Sequence, residues 1–272
     1  GSARDHLLGF HAVSGRGEEF KSGGTVVKNV SGFDISKLMA GSFGTLAVLS
    51  SLTMKVLPAP EKTRTLLLRW RPDGVYAHAA MRVMSQALGS PHDVSAAAHL
   101  PALVASRSGI DFINATGGGV TALRIEGPEP SVKHRAGMLT KELKNYATID
   151  ELHTSNSKTF WRYVRDVHPF VDRTDLPYVW RLSVPPASGA KIALAILEAL
   201  KGEVYYDWGG GLIWLALAPV INAGAEVIRA VLEGVGGHAT LVRAPADIRR
   251  MVPVMQPLSE TELMVTRKIK DG

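Results

Sequence analysis

The placement of glycine constrains this chain more than any other feature of its sequence. Of its 27 glycines, nine (Gly1, Gly9, Gly15, Gly17, Gly23, Gly24, Gly32, Gly41 and Gly44) fall within the first 44 residues. Each glycine inside a helix costs about 1 kcal/mol relative to alanine, so this stretch favours short strands and tight turns. There, glycine supplies backbone conformations that other residues avoid. Residues 7–13 and 24–27 read as β-prone runs separated by Ser14-Gly15-Arg16-Gly17. Asp34 reads as the N-cap of a short helix over residues 35–39, with Gly41 as its left-handed stop. Residues 45–56 are rich in Leu, Val and Thr and predict a long, largely buried strand, ended by Leu57-Pro58-Ala59-Pro60. Proline cannot donate to a sheet ladder, so a domain boundary is placed at about residue 60, giving domains 1–60 and 61–272.

Beyond Pro60, strands at 64–70, 94–100, 121–126 and 147–152 alternate with helices at 75–88 and 132–146. After a polar stretch containing Trp161 and Tyr163, the scheme recurs with strands at 178–184, 204–207, 212–218 and 239–242 and helices at 188–200 and 223–235. Strand-helix-strand-strand-helix-strand is a ferredoxin-like order. Two such units in tandem predict an α+β domain: an antiparallel sheet with helices on one face and the other face free. A final helix is expected over residues 260–270.

Bulk properties exclude several function classes. The chain has no cysteine, so it holds no disulfide, thiolate metal site, iron–sulfur ligation or cysteine nucleophile, and a reducing cytoplasm suits it. Its longest apolar run, Leu212 to Ala218, is far short of the roughly 20 residues that span a bilayer, so no transmembrane segment is expected. The net charge of +6 is dispersed, and the densest basic group, Arg267-Lys268-Ile269-Lys270, reads as a solvated helix end rather than a nucleic-acid track. The Gly1-Ser2-Ala3 start without an initiator Met reads as a vector scar joined to the interior of a gene.

The densest constellation is Gly23-Gly24-Thr-Val-Val-Lys28-Asn29-Val30-Ser-Gly32-Phe33-Asp34, followed by Lys37-Leu38-Met-Ala-Gly41-Ser42-Phe43-Gly44-Thr45-Leu46. Gly41 and Gly44 bracket a turn whose backbone can approach a ligand, while Ser42 and Thr45 add hydroxyl and N–H donors. It is neither a Walker A loop nor a Rossmann fingerprint. On spacing alone it is either a structural turn or a loop for a nucleotide. Together with Arg4-Asp5-x-x-Leu-Gly, Gly-Arg-Gly-Glu and Leu-Pro-Ala-Pro, the segment over residues 4–60 resembles the second half of the FAD-binding domain of vanillyl-alcohol-oxidase (PCMH-type) flavoproteins. Within that group it is most similar to the FAD-binding E-subunit family of bacterial glycolate oxidases. Tyr206-Asp207-Trp208-Gly-Gly-Gly211 and Gly236-Gly237-His238-Ala-Thr fit the cap domain of that family.

The resemblance implies that Asn29, Gly32, Asp34, Gly41, Ser42, Gly44, Thr45, Leu46 and Val48 line an FAD pocket. Phe33 stands where tyrosine is usual and Ala47 where glycine is usual, losing a phenolic donor and adding a methyl group near the expected cofactor path. It implies a further FAD subdomain upstream of Ala3, so this chain alone is expected to bind FAD weakly or not at all. It also implies a small 2-hydroxy acid substrate, a partner flavin-containing catalytic subunit, an iron–sulfur subunit, and membrane association only through such partners. The competing reading is a non-catalytic assembly subunit with a vestigial flavin site.

Flavin-dependent oxidation of a 2-hydroxy acid needs a cation for the carboxylate and a base near the hydroxyl. Arg181, within a strand, is either a bidentate carboxylate clamp or an ordinary ion-pair partner. His238, after a glycine pair, is either a base at a site mouth or a structural histidine. His92 and His99 match the span of the His-x-Gly-Asp-Gly-Asn-x-His metal motif of related 2-hydroxy-acid dehydrogenases, but the residues between them do not. Seven apart on a strand, they face opposite ways, so no metal site is expected. Trp161, Tyr163, Trp180, Tyr205, Tyr206 and Trp214 read as core, and the three glycines after Trp208 suggest a close-approach loop.

Overall fold

Short glycine-bounded segments pair into a small sheet at the start of the chain. The computed structural model describes residues 3–27, 32–115 and 117–271. The first segment comprises α1 (Ala3–His6), β1 (Leu7–Ser14), β2 (Glu19–Gly23), α2 (Ile35–Met39) and β3 (Ala47–Met54), with an antiparallel sheet ordered β2-β1-β3. Ser14 Oγ accepts the N–H groups of Arg16 and Glu18 at 3.2 and 3.3 Å, closing a turn so tight that the return strand starts at Glu19. The expected strand at 24–27 therefore lies past the pairing, and Val26 and Val27 are exposed. Asp34 caps α2, its Oδ1 accepting from Lys37 N at 3.2 Å. Phe10, Ala12, Met39 and Ala47 form a small core, with the Phe20 ring edge-on to Phe10 at 5.6 Å. The expectation of a largely buried strand at 45–56 fails on β3. Only Ala47 is buried, while Val48 and Leu52 are 69% and 52% exposed, because β3 is an edge strand with β1 as its one neighbour.

After Pro60 the chain forms β4 (Lys62–Arg69), α3 (Ala77–Leu88), β5 (Val94–Leu100), α4 (Ala102–Ser106), α5 (Asp111–Asn114), β6 (Val120–Gly127), α6 (Glu129–Leu143) and β7 (Thr148–Leu152). Then come α7 (Thr154–Arg165), α8 (His168–Val171), β8 (Tyr178–Ser183), α9 (Gly189–Ala199), β9 (Gly202–Asp207), β10 (Leu212–Leu217), α10 (Ala225–Leu232), β11 (His238–Arg243) and α11 (Ala246–Met251). The strands make one eight-stranded antiparallel sheet ordered β11-β8-β10-β9-β5-β6-β4-β7, two ferredoxin-like sets joined where β5 meets β9. The α+β class read from the sequence is the one observed. Residues from α3, α6, α9 and α10 pack with Leu66, Leu68, Trp180 and Ile213 in the larger core. A last helix, α12 (Glu260–Asp271), carries a capping box: Glu262 N donates to Ser259 Oγ at 3.3 Å and Ser259 N to Glu262 Oε2 at 2.8 Å. By proximity the chain divides into two units, Gly1–Ala59 with Leu258–Gly272, and Pro60–Pro257, so residues 258–272 group with the first.

One expectation is corrected here. The second face of the large sheet is not free: α4, α7 and α8 cover Leu67, Ala98, Leu100 and Tyr205 in a second core with Val104, Phe160, Trp161 and Phe170. The polar stretch at 154–165 is an amphipathic helix whose few apolar residues all face inward, and its buried polar groups are mutually satisfied. Trp161 Nε1 donates to Thr65 Oγ1 at 2.9 Å, and Thr65 Oγ1 lies 2.6 Å from Ser157 Oγ. Among the described residues, no helix is long and apolar enough to cross a membrane.

Candidate functional site

In the first unit the candidate site is the turn after α2. Gly41, Phe43 and Gly44 take left-handed backbone conformations, with φ of +89°, +52° and +73°. The turn is pinned by Ser42 N on Met39 O at 3.2 Å, and by Thr45 N and Oγ1 on Ser42 O at 3.0 and 2.7 Å. The N–H groups of Phe43 and Gly44 have no partner among the described residues. A Cβ on Gly41 or Gly44 would meet no atom within 4 Å, so backbone conformation, not lack of space, requires glycine there.

Gly41, Ser42, Gly44 and Val48 border one open cavity of about 500 Å³, shared with Met39, Phe43, Ala47 and Leu52. The other residues implied by the resemblance lie outside its lining. Asp34 serves as the helix cap, Leu46 packs on the small core, Thr45 holds the turn, and Gly32 adopts φ +79°. Asn29 lies outside the described residues. Phe33 is exposed, whereas Ala47 is buried and presents its methyl group at the cavity.

In the second unit the candidates sit on the sheet face that also carries α7. Arg181 of β8 lies opposite Trp214 of β10 and Thr240 of β11. Its guanidinium stacks over the Trp208 ring, 5.1 Å from the centroid, and no acidic partner holds it among the described residues. Of the two readings of Arg181, the ordinary ion-pair partner is the one the geometry disfavours. His238 is exposed and lies opposite Ser183, so it is a diagonal neighbour of Arg181 on the same face.

The close approach expected after Trp208 is made to protein: a Cβ on Gly209 or Gly210 would fall 2.5 Å from Leu88 Cδ1 or 2.2 Å from Met81 Sδ, both on α3. The same turn throws the Trp208 ring outward, 56% exposed.

Asp207, named from the sequence only within the Tyr206-Asp207-Trp208 run and not as a site residue, also lies on the sheet face of Arg181. Its Oδ1 accepts the Trp208 N–H at 2.7 Å. Burial pushes its carboxyl above the ordinary range, opposed by that hydrogen bond and by the positive charge of Arg124. Arg124 itself holds Glu126 and Ser95 Oγ, each at 3.0 Å, and lies 5.2 Å from the Trp161 ring centroid. The available signal was parity: Asp207 shares a strand face with Tyr205, which is opposite Trp214 and hence on the side of Arg181.

His92 and His99 are separately engaged, His92 Nε2 with Glu142 Oε1 at 2.8 Å and His99 Nδ1 with Thr121 Oγ1 at 2.9 Å. No group of three His, Asp or Glu placed to hold a metal ion occurs among the described residues.

No protein-family model matches the chain. Its sequence is 32% identical over 260 residues to glycolate oxidase subunit GlcE of Escherichia coli (strain K12), covering 95% of this chain and 60% of that protein. A shorter stretch of 67 residues, 25% of this chain and 14% of the relative, is 37% identical to glycolate oxidase subunit GlcD of Bacillus subtilis (strain 168). In structure the chain superposes on p-cresol methylhydroxylase with a TM-score of 0.58 at 12% identity, covering 98% of this chain and 63% of that one. The resemblance read from residues 4–60 is thus borne out, in sequence to GlcE and in fold to p-cresol methylhydroxylase, while the chain spans under two thirds of either protein.

Proposed function

We propose that this chain is the flavin-binding portion of a subunit of a glycolate-oxidase-type 2-hydroxy-acid oxidoreductase, passing electrons through FAD to a partner subunit. One observation carries the reading. Gly41, Ser42, Gly44 and Val48, matched position by position to the FAD-lining residues of the flavoproteins it resembles, gather around a single cavity. The groups there fit such a cofactor: the Phe43 and Gly44 N–H groups and the Ser42 hydroxyl can bond flavin or phosphate oxygens. Val48 and Leu52 offer an apolar wall to a ring system. Bound there, FAD supplies the two-electron acceptor that turns a 2-hydroxy acid into a 2-oxo acid.

In this reading Arg181 binds the substrate carboxylate through its two parallel N–H donors, its plane held by Trp208. His238, on the same sheet face, takes the hydroxyl proton. The partners are a catalytic flavin subunit and an iron–sulfur subunit; similarity to two proteins named as glycolate oxidase subunits supports membership of a multi-subunit enzyme. The chain on its own is not expected to oxidise glycolate.

A second reading, a non-catalytic assembly subunit with a vestigial flavin site, draws on Ala47, whose methyl group lines the same cavity. The protein as its gene encodes it, passed through gel filtration and assayed with glycolate, separates the two. Retained FAD with turnover only on adding the partner subunits supports the first reading. Turnover without them removes the relay role, and loss of FAD favours assembly.

A further inference from the structure

The seam between the two ferredoxin-like sets is the loosest line in the large sheet. β5 and β9 pair at a single position, His99 opposite Tyr206, although β9 pairs with β10 at six positions and β5 with β6 at six. Against that seam a cavity of about 260 Å³ opens, with Tyr76 and Val104 from the first set and Leu194 and Leu197 from the second among its walls. At about 30 Å³ per water, it has room for roughly nine non-hydrogen atoms.

Besides the half-buried Tyr76 and the ion-paired Glu203, two fully buried polar side chains line this space, His99 at 2% exposure and Tyr206 at 1%. The Trp70 indole can only donate, and its Nε1 lies 2.7 Å from Thr121 Oγ1, which leaves the threonine proton for His99 Nδ1 at 2.9 Å. The imidazole then carries its own proton on Nε2. Tyr206 Oη bonds to no described residue, and a buried polar atom left so costs about 1–3 kcal/mol, whereas the His99 ring is also engaged by the Val120 backbone. The lone acid in the lining, Glu203, is held by Arg107 and Arg173, so no free charge faces the space.

We propose that the seam cavity binds a small uncharged aromatic molecule carrying one hydrogen-bonding oxygen. Its ring lies among Tyr76, Leu194 and Leu197, and its oxygen bonds Tyr206 Oη beside the His99 ring. Burial keeps both groups neutral, pulling the imidazole down to about 3 and pushing the phenol up. A charged ligand would lose its hydration without a compensating partner. The site is independent of the flavin reading, since every lining residue belongs to Pro60–Pro257.

The probe is 4-fluorobenzyl alcohol, titrated into the 272-residue chain and followed by fluorine NMR, with 4-fluorotoluene and 4-fluorobenzoate as comparisons. Saturable binding is expected for the alcohol, at least tenfold weaker for the carboxylate and several-fold weaker for the toluene. Tyr206→Phe, which removes one oxygen, should bring the alcohol down to the affinity of the toluene. Leu103→Trp, at an exposed position of the lining, should weaken both neutral probes tenfold or more without disturbing the core. No saturable binding of the alcohol, carboxylate binding as tight as the alcohol, or indifference to both substitutions in chains with unchanged circular dichroism overturns the proposal.

Discussion

Two strands of eight residues, close in sequence, have opposite fates. β4 (KTRTLLLR) is flanked by β6 and β7 and covered on both faces, with Leu66, Leu67 and Leu68 fully buried. β3 (AVLSSLTM), which is the more apolar of the two, has β1 alone beside it and leaves Val48, Leu49, Leu52 and Met54 exposed. Apolar composition makes both strands possible, but cover decides whether a leucine stabilises the fold or offers a surface. The large sheet is where stability resides, and the small one is where a ligand or another segment has apolar area to meet.

That contrast can be broken in order of expected effect. The largest is acid sensitivity of the large unit. His99 is held near 3 in the fold against 6.5 when free. The unfolded chain therefore takes up the proton first as pH falls, and stability declines between about 6.5 and 3 by up to about 5 kcal/mol. Urea midpoints across that range should show the decline in wild type and a flatter limb in His99→Gln; parallel limbs contradict it.

Next, Leu67→Ala should cost about 2–5 kcal/mol by leaving a cavity in the second core under α7, whereas Leu52→Ala should change stability by less than about 0.5 kcal/mol. Denaturant unfolding of the two variants checks both, and equal losses would erase the distinction between the strands. Asp34→Ala removes the α2 cap and should destabilise the small unit by about 1 kcal/mol, read as faster amide exchange over residues 35–39 with the large sheet unaffected.

Legibility followed the same division. The Asp34 cap and the left-handed Gly41 were readable because each is a local demand of the backbone on one residue. The two ferredoxin-like repeats were readable because their periodicities alternate over long stretches. Three features were not. The β2 strand was placed too late, since the Ser14 side chain that tightens the turn acts through hydrogen bonds that composition does not display. The helix α7 was read as a polar stretch because its buried face uses Ser157 with Phe160, Trp161 and Val164, a thin stripe among polar residues. The exposure of β3 depends on which strands lie beside it, a long-range fact. In the candidate sites, glycine chemistry pointed to the turn at 41–44, while Asp207 emerged only once strand parity placed it on the face of Arg181.

The central claim, that the turn at 41–44 and the exposed face of β3 form part of a flavin site, is tested by the flavin absorbance of the gene-encoded protein after gel filtration. Three proteins are compared: wild type, Gly44→Val and Val48→Asp. Gly44→Val forces a β-branched residue into φ +73°, and Val48→Asp places a charge on the apolar wall. Stoichiometric FAD in wild type with at least tenfold weaker retention in both variants is the predicted result; full FAD retention by both folded variants would contradict it.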